Sequence, residues 1–158
     1  MGRTVCRRGP FARGERIALY LDLENLLYGE GIHRLEVFTA LVGLLRGFGA
    51  RGIVVAAIAC CDCTLARELA FAFEPAGVRI FTHDGGPDAA DNALIERIRH
   101  ELPASVRTVV IGSGDHIFAA VADELRARGL RVEVIARQGS LSAELYTQAD
   151  DAHVISLS

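Results

Sequence analysis

A chain of 158 residues has room for one domain and for a core that needs no staples. Hydrophobic residues make up 51% and mean hydropathy is +0.27, a level that fits a sheet covered on both faces. The formal charge of −3 excludes a basic nucleic-acid coat protein, and because arginine supplies all 17 basic residues, any chemistry that needs a lysine is excluded as well.

The apolar stretches are broken by Gly, Arg or Asp well before the roughly 18 residues that a membrane span requires. Arg3, Arg7, Arg8 and Arg13 are followed by no apolar h-region, so no signal peptide is read and a cytoplasmic protein without membrane contact is expected. Cys60, Cys61 and Cys63 crowd one strand end as Cys-Cys-Asp-Cys, with Cys6 apart. Without a CxxC pair they read as small apolar residues closing a strand rather than as a metal cluster.

Residues 1–14, rich in Arg and Gly and without periodicity, read as a flexible arm, and residues 15–158 as the domain. The apolar run 17–21 predicts a buried strand. The helical spacing of Val37, Phe38, Leu41, Leu44, Leu45 and Phe48 predicts a helix over 35–48, ended by Gly49 and Gly52. A second strand is expected over 53–59, then a helix over 64–76 with Thr64 as N-cap and Gly77 as stop, then a third strand over 78–82. Gly85-Gly86-Pro87-Asp88 reads as a turn that opens a helix to about residue 102. A strand over 106–111, a helix over 115–128 stopped by Gly129, a strand over 130–136, a short helix over 141–148 and a strand over 152–157 complete the chain. Strands alternating with helices in this way build βαβ units, giving a three-layer α/β/α sandwich with a mainly parallel central sheet, Rossmann-like in organisation. Ligands of such sheets bind beyond the carboxyl ends of the strands, so function is sought just after each strand.

Three strand-to-helix junctions there carry an acid. The first strand runs into Asp22-Leu23-Glu24-Asn25, where Asp22 or Asn25 would also serve as a cap. After the third strand, Asp88 and Asp91 open a helix at capping-box spacing; Asp88 reads as the cap, while Asp91 shares the buried stripe of Leu94, Ile95 and Ile98. The fourth strand ends in Gly112-Ser113-Gly114-Asp115, where the glycines allow a tight turn and Asp115 or Ser113 would cap the next helix. Any one junction is ordinary. Together they point to a divalent-cation site with oxygen-only ligands, which favours Mg²⁺ or Mn²⁺ over Zn²⁺ and suits phosphodiester hydrolysis.

The stretch Tyr20-Leu21-Asp22-Leu23-Glu24-Asn25 resembles the opening motif of NYN domains, an Asp followed three positions later by Asn. Asp91-Asn92-Ala93-Leu94 resembles their central motif, and Val109 through Phe118, containing Ser113-Gly114-Asp115, resembles the late motif Ser-Gly-Asp-x-Asp-Phe. The resemblance runs from about residue 16 to residue 157 with the motifs in order. It implies a PIN-like fold and a metal-dependent ribonuclease, with RNA as partner and Mg²⁺ or Mn²⁺ as cofactor. By matching positions it implies Asp22, Asn25, Asp91 and Asp115 as the catalytic set. Asp22, Asp91 and Asp115 would bind the metal, Asn25 would orient a carboxylate, water or phosphate, and Ser113 would hydrogen-bond behind them.

Two departures keep a second reading open, a catalytically impaired NYN-like module that binds RNA or a protein partner. Ile117 stands where the late motif has its second Asp, and Gly85-Gly86 stands where members often have Lys-Gly, so a phosphate-binding cation is missing. His116 reads as solvent-facing, His83-Asp84 as turn chemistry, Glu24 as a further acid or a variable position, and Asp150 and Asp151 as solvated at the opposite edge. Other nucleotide folds are excluded by pattern: no G-x-G-x-x-G follows the first strand and no Gly-Lys-Ser/Thr exists. Neither the Asp-x-Asp of haloacid dehalogenase phosphatases nor the lysine that they and response-regulator receivers require is present. Oligomeric state and cleavage mode are not fixed by the sequence.

Overall fold

The computed structural model describes residues 14–29, 33–83, 85–86 and 88–156. Six strands form one sheet: β1 (Arg16–Asp22), β2 (Ile53–Cys61), β3 (Arg79–Thr82), β4 (Thr108–Gly112), β5 (Arg131–Arg137) and β6 (Asp151–Ile155). The helices are α1 (Leu23–Leu27), α2 (Arg34–Arg51), α3 (Cys63–Phe73), α4 (Ala89–Glu101), α5 (Ala119–Ala127) and α6 (Ala143–Gln148), with 3₁₀ turns at Glu74–Ala76 and His116–Phe118. All neighbouring strands are parallel, in the order β3-β2-β1-β4-β5-β6, so the sheet is wholly rather than mainly parallel.

Strand alternation divides the core into two layers. Ile17, Leu19 and Leu21 of β1 pack with Leu26, Leu41, Leu65 and Phe73 of α1–α3. Ala18 and Tyr20 pack on the other face with Leu94, Ile98, Val121 and Leu145 of α4–α6. Asp22 follows the parity of Ala18 and Tyr20, which directs it to the α4 side. The order also fixes where a ligand belongs: the sheet grows outward from β1 through β2 to β3, then α4 returns the chain to β4 on the other side of β1. Neighbouring connections leave in opposite directions between β1 and β4, opening a crevice beyond their carboxyl ends.

Several boundaries move for physical reasons. The first long helix passes Gly49 and ends at Arg51 with Gly52 as C-cap, because a Cβ at Gly52 would collide with the Glu15 carbonyl. The cap of α3 is Asp62, whose side chain accepts from Leu65 N, rather than Thr64; Gly77, at φ 80°, is the stop as expected. The helix expected over 115–128 begins as a 3₁₀ turn, and α1 is an additional helix of five residues. Cys60 and Cys61 are buried in β2, where burial pushes both thiols up to about 12, while Cys63 opens α3 exposed. Cys6, Asp84, Leu157 and nearly all of the expected arm lie outside the described residues.

Candidate metal centre

The crevice between β1 and β4 is where the acids meet. Asp22 ends β1 and is the N-cap of α1, accepting from Asn25 N at 3.2 Å. It is 3% exposed, and Asp91, one turn into α4, is 5% exposed. The two carboxyls stand side by side, so that each is a like charge beside the other. Burial, then the hydrogen bond and charge of Asp91, hold Asp22 far above the usual carboxylate range, at about 9. Asp91 is also raised, first by burial and then by the charges of Asp115, Asp88 and Glu24, although the hydrogen bond from Asp22 acts in the opposite sense.

Asp91 joins this pair to a second group. Asp88, Asp91 and Asp115 each bring a carboxylate oxygen to within 4.8 Å of the other two. Asp115 is placed by the turn after β4: its own N–H donates to Ser113 Oγ at 3.2 Å, and its Oδ1 accepts from Ile117 N at 3.0 Å. The glycines of this turn matter for close approach and not for left-handed backbone, since neither has positive φ. A Cβ at Gly112 would stand 2.6 Å from Leu21 Cδ2, and one at Gly114 would strike the Ser140 carbonyl.

Asp88 is the residue that sequence reasoning assigned only to a cap. It occupies the N-cap position of α4, but at φ 56° its side chain makes no capping bond and lies with Asp91 and Asp115. It is the only non-glycine with positive φ among the described residues. The signal was present: acids at i and i+3 on a first turn share one face, a spacing that serves a capping box and a cation site equally.

Asn25 is brought to the same place but is occupied by protein groups. Its Oδ1 accepts from Gly114 N at 3.0 Å, its carbonyl accepts from Arg137 Nε and Nη2 at 3.1 and 2.8 Å, and its N–H reaches Asp22. It thereby ties the end of β1, the β4 turn and the end of β5 together. Ser113 is buried and holds the Asp115 backbone. Glu24 pairs with His83 Nε2 at 2.8 Å, and because His83 Nδ1 accepts from Gly85 N, the ring proton sits on Nε2. His116 is exposed, with Nδ1 at 3.2 Å from Asp115 Oδ1. Ile117 packs against the apolar layer under α4–α6. Asp150 and Asp151 lie at the opposite edge as expected, though not merely solvated: Asp150 Oδ2 accepts from Val132 N at 2.8 Å.

The donor set fits a hard divalent cation. It is oxygen-only, and it gathers like charges whose repulsion such an ion relieves. No cysteine belongs to a group of three that could hold a metal among the described residues. No described helix is long and apolar enough to cross a membrane.

A model of the NYN domain family matches residues 16–157. No curated protein matches the sequence. Among solved structures, the crystal structure of a protein of unknown function from Vibrio parahaemolyticus superposes with a TM-score of 0.71 at 18% identity, covering 90% of this chain and 93% of that one, a likeness of fold. That of eIF2B delta from Chaetomium thermophilum gives a TM-score of 0.42 at 16% identity over 89% of this chain and 50% of that one, and it carries no argument.

Proposed function

The chain belongs to the NYN domain family, and from that premise we propose that it is a divalent-metal-dependent ribonuclease, with residues 15–158 as the nuclease domain. The observation that carries this is the convergence of four aspartates from three strand-to-helix junctions on the β1–β4 crevice, two of them nearly buried. Acids placed against their own repulsion at a ligand crevice are a mark of function rather than of stability.

Asp88, Asp91 and Asp115 would hold Mg²⁺ or Mn²⁺, with Asp22 backing Asp91. When bound, such an ion neutralises charge developing on a phosphodiester and makes an attacking water more acidic. The chain's own part is positional. Asn25 fixes the distance between β1 and the β4 turn, Ser113 fixes the Asp115 backbone, and Asp22, itself protonated, stands against Asp91 in the metal-free site. His116, exposed beside Asp115, is placed to contact a phosphate.

The test is a calorimetric titration of Mn²⁺ and Mg²⁺, followed by cleavage of labelled RNA. Wild type should bind saturably and cleave. Asp91→Asn should lose more than about 100-fold in both, beyond the 10–100-fold usual for residues that only support a ligand. One observation favours the second reading, a module that binds RNA or a protein partner without cutting: Ile117 is packed as an apolar residue and brings no carboxylate. Absence of Mn²⁺ binding with and without RNA would select it.

A further inference from the structure

At the amino ends of the strands most arginines are matched by acids. On the α1–α3 side Arg51 pairs with Glu15 and Glu133, and Arg131 with Glu133. On the α4–α6 side Arg97, Arg99 and Arg126 are likewise paired, but Arg16, Arg107 and Arg128 are not. Arg107 N donates to Arg16 O at 3.0 Å, and the register Ile17↔Thr108 sets Arg16 beside Arg107 on adjacent rungs. By alternation both share the face of Ala18 and Val109, and Arg128 follows the end of α5 in the same layer. All three are exposed and form no ion pair among the described residues. Three acids of that face are engaged elsewhere, Glu101 by Arg97, Glu124 by Arg99 and Asp150 by Arg126.

Like charges on adjacent rungs destabilise a sheet. Arg128 has a stabilising role of its own, since a cation at a helix C-terminus complements the macrodipole. That argument does not reach Arg16 and Arg107, which stand at strand entrances. The neighbouring cleft, lined by Arg126, Gly129, Leu130, Arg131 and Asp150, holds about 250 Å³, less than the roughly 300 Å³ of the smallest usual ligand pockets. The ligand is therefore one that lies along a surface. Residues 1–13, which precede β1 in the sequence, carry four more arginines and no acid.

We propose that Arg16, Arg107 and Arg128 form a binding surface for the phosphate backbone of RNA, at the edge of the sheet opposite the acidic site. The seven residues of β1 separate the two by about 20 Å, so an RNA held here is a distant part of a strand whose other part reaches the crevice, or a separate strand. The inference rests on RNA as the ligand, as in the proposed function, but not on its being cut.

The experiment is fluorescence anisotropy of a labelled single-stranded oligoribonucleotide in EDTA, which removes any metal contribution. Wild type should bind with an affinity that falls with salt. The variant Arg16→Gln/Arg107→Gln/Arg128→Gln should bind at least tenfold more weakly, with the slope of log K against log salt reduced by about 2, at about 0.7 per phosphate contact for single strands. Arg46→Gln, at an exposed arginine of α2 on the other face, should bind as wild type does. Equal binding by the triple variant and wild type, no binding by wild type in EDTA, or displacement of RNA by polyglutamate at equal charge concentration would each overturn the proposal. The three side chains are exposed, so the circular dichroism melt of the triple variant serves as the folding control. Binding through the row without cleavage in Mn²⁺ would leave this inference standing and remove the ribonuclease reading. Cleavage with unchanged binding in the triple variant would do the reverse.

Discussion

The two ends of the sheet bury carboxylates to the same depth with opposite results. Glu133, near the amino end of β5, is fully buried. Burial alone would raise its pKa, but hydrogen bonds from Arg51 and His153 and the charges of Arg51 and Arg131 more than offset that and hold it near 2. Asp22, at the carboxyl end of β1, is as deeply buried and meets other acids, so it lies near 9. The difference is one of partners. Where the strands begin, a buried charge is matched by guanidinium groups; where they end, at the ligand crevice, acids are left facing acids.

The largest expected effect lies at the matched end. Glu133→Ala leaves Arg51 with Glu15 alone and takes the buried partner from Arg131 and His153, and should destabilise by about 3 kcal/mol in urea unfolding, while Mn²⁺ affinity of the folded protein stays unchanged. A parallel fall in Mn²⁺ affinity would mean that the two ends are not independent. pH should separate them next. Asp22, raised when folded, contributes stability that is complete below the ordinary carboxylate range and is lost as pH climbs through about 9. Glu133, lowered when folded, contributes stability that is complete above the ordinary glutamate value and is lost as pH drops through about 2. Urea midpoints measured against pH should show both limbs without metal, and Asp22→Asn should erase only the alkaline one. An alkaline limb that survives in that variant would assign it to another group.

Smaller effects come from the residues between the acids. Asn25→Ala leaves Gly114 N without its acceptor, which should cost about 1–3 kcal/mol and weaken Mn²⁺ binding by about 10- to 100-fold. Calorimetry reads the second effect separately from the first, and unchanged affinity would make Asn25 a purely structural tie. The smallest is a gain. Asp91→Asn should raise the melting temperature of the metal-free protein by about 2–4 °C for each kcal/mol of repulsion relieved. A lowered melting temperature would make Asp91 a stabilising helix cap instead.

The layered fold and the junctions holding Asp22, Asp91 and Asp115 were legible because each depends on local pattern: an apolar run, a helical stripe, a Gly-Ser-Gly turn. Asp88 stands at the N-cap as read, but its lack of a capping bond was not legible, because the i, i+3 spacing has two uses and its left-handed backbone is set by the surrounding turn. The Glu133 network was missed for another reason. Arg131 lies two residues away on the same strand, but Arg51 and His153 come from α2 and β6, far outside any window around Glu133. The Val-Glu-Val of β5 did hold a warning, since an acid within an apolar strand must find a partner. Asn25 was read as orienting a carboxylate, a water or a phosphate; in the folded chain its side-chain oxygen accepts from Gly114 N, a tie between two elements that no local pattern announces.

The strand order has a kinetic consequence. The pairing of β1 with β4 joins residues about 90 positions apart in the chain, whereas β2 follows β1 through α1 and α2, and β5 follows β4 through a 3₁₀ turn and α5. Non-local parallel pairing is slow because loop closure is opposed by chain entropy before contacts reward it. Each half of the sheet can therefore order early, and the seam between them forms late. Asp115 meets Asp91 and the end of β1 only when that seam closes, so carboxylate repulsion falls on the final folding step. A cation waiting in solution would act there as a folding catalyst before it serves any other purpose.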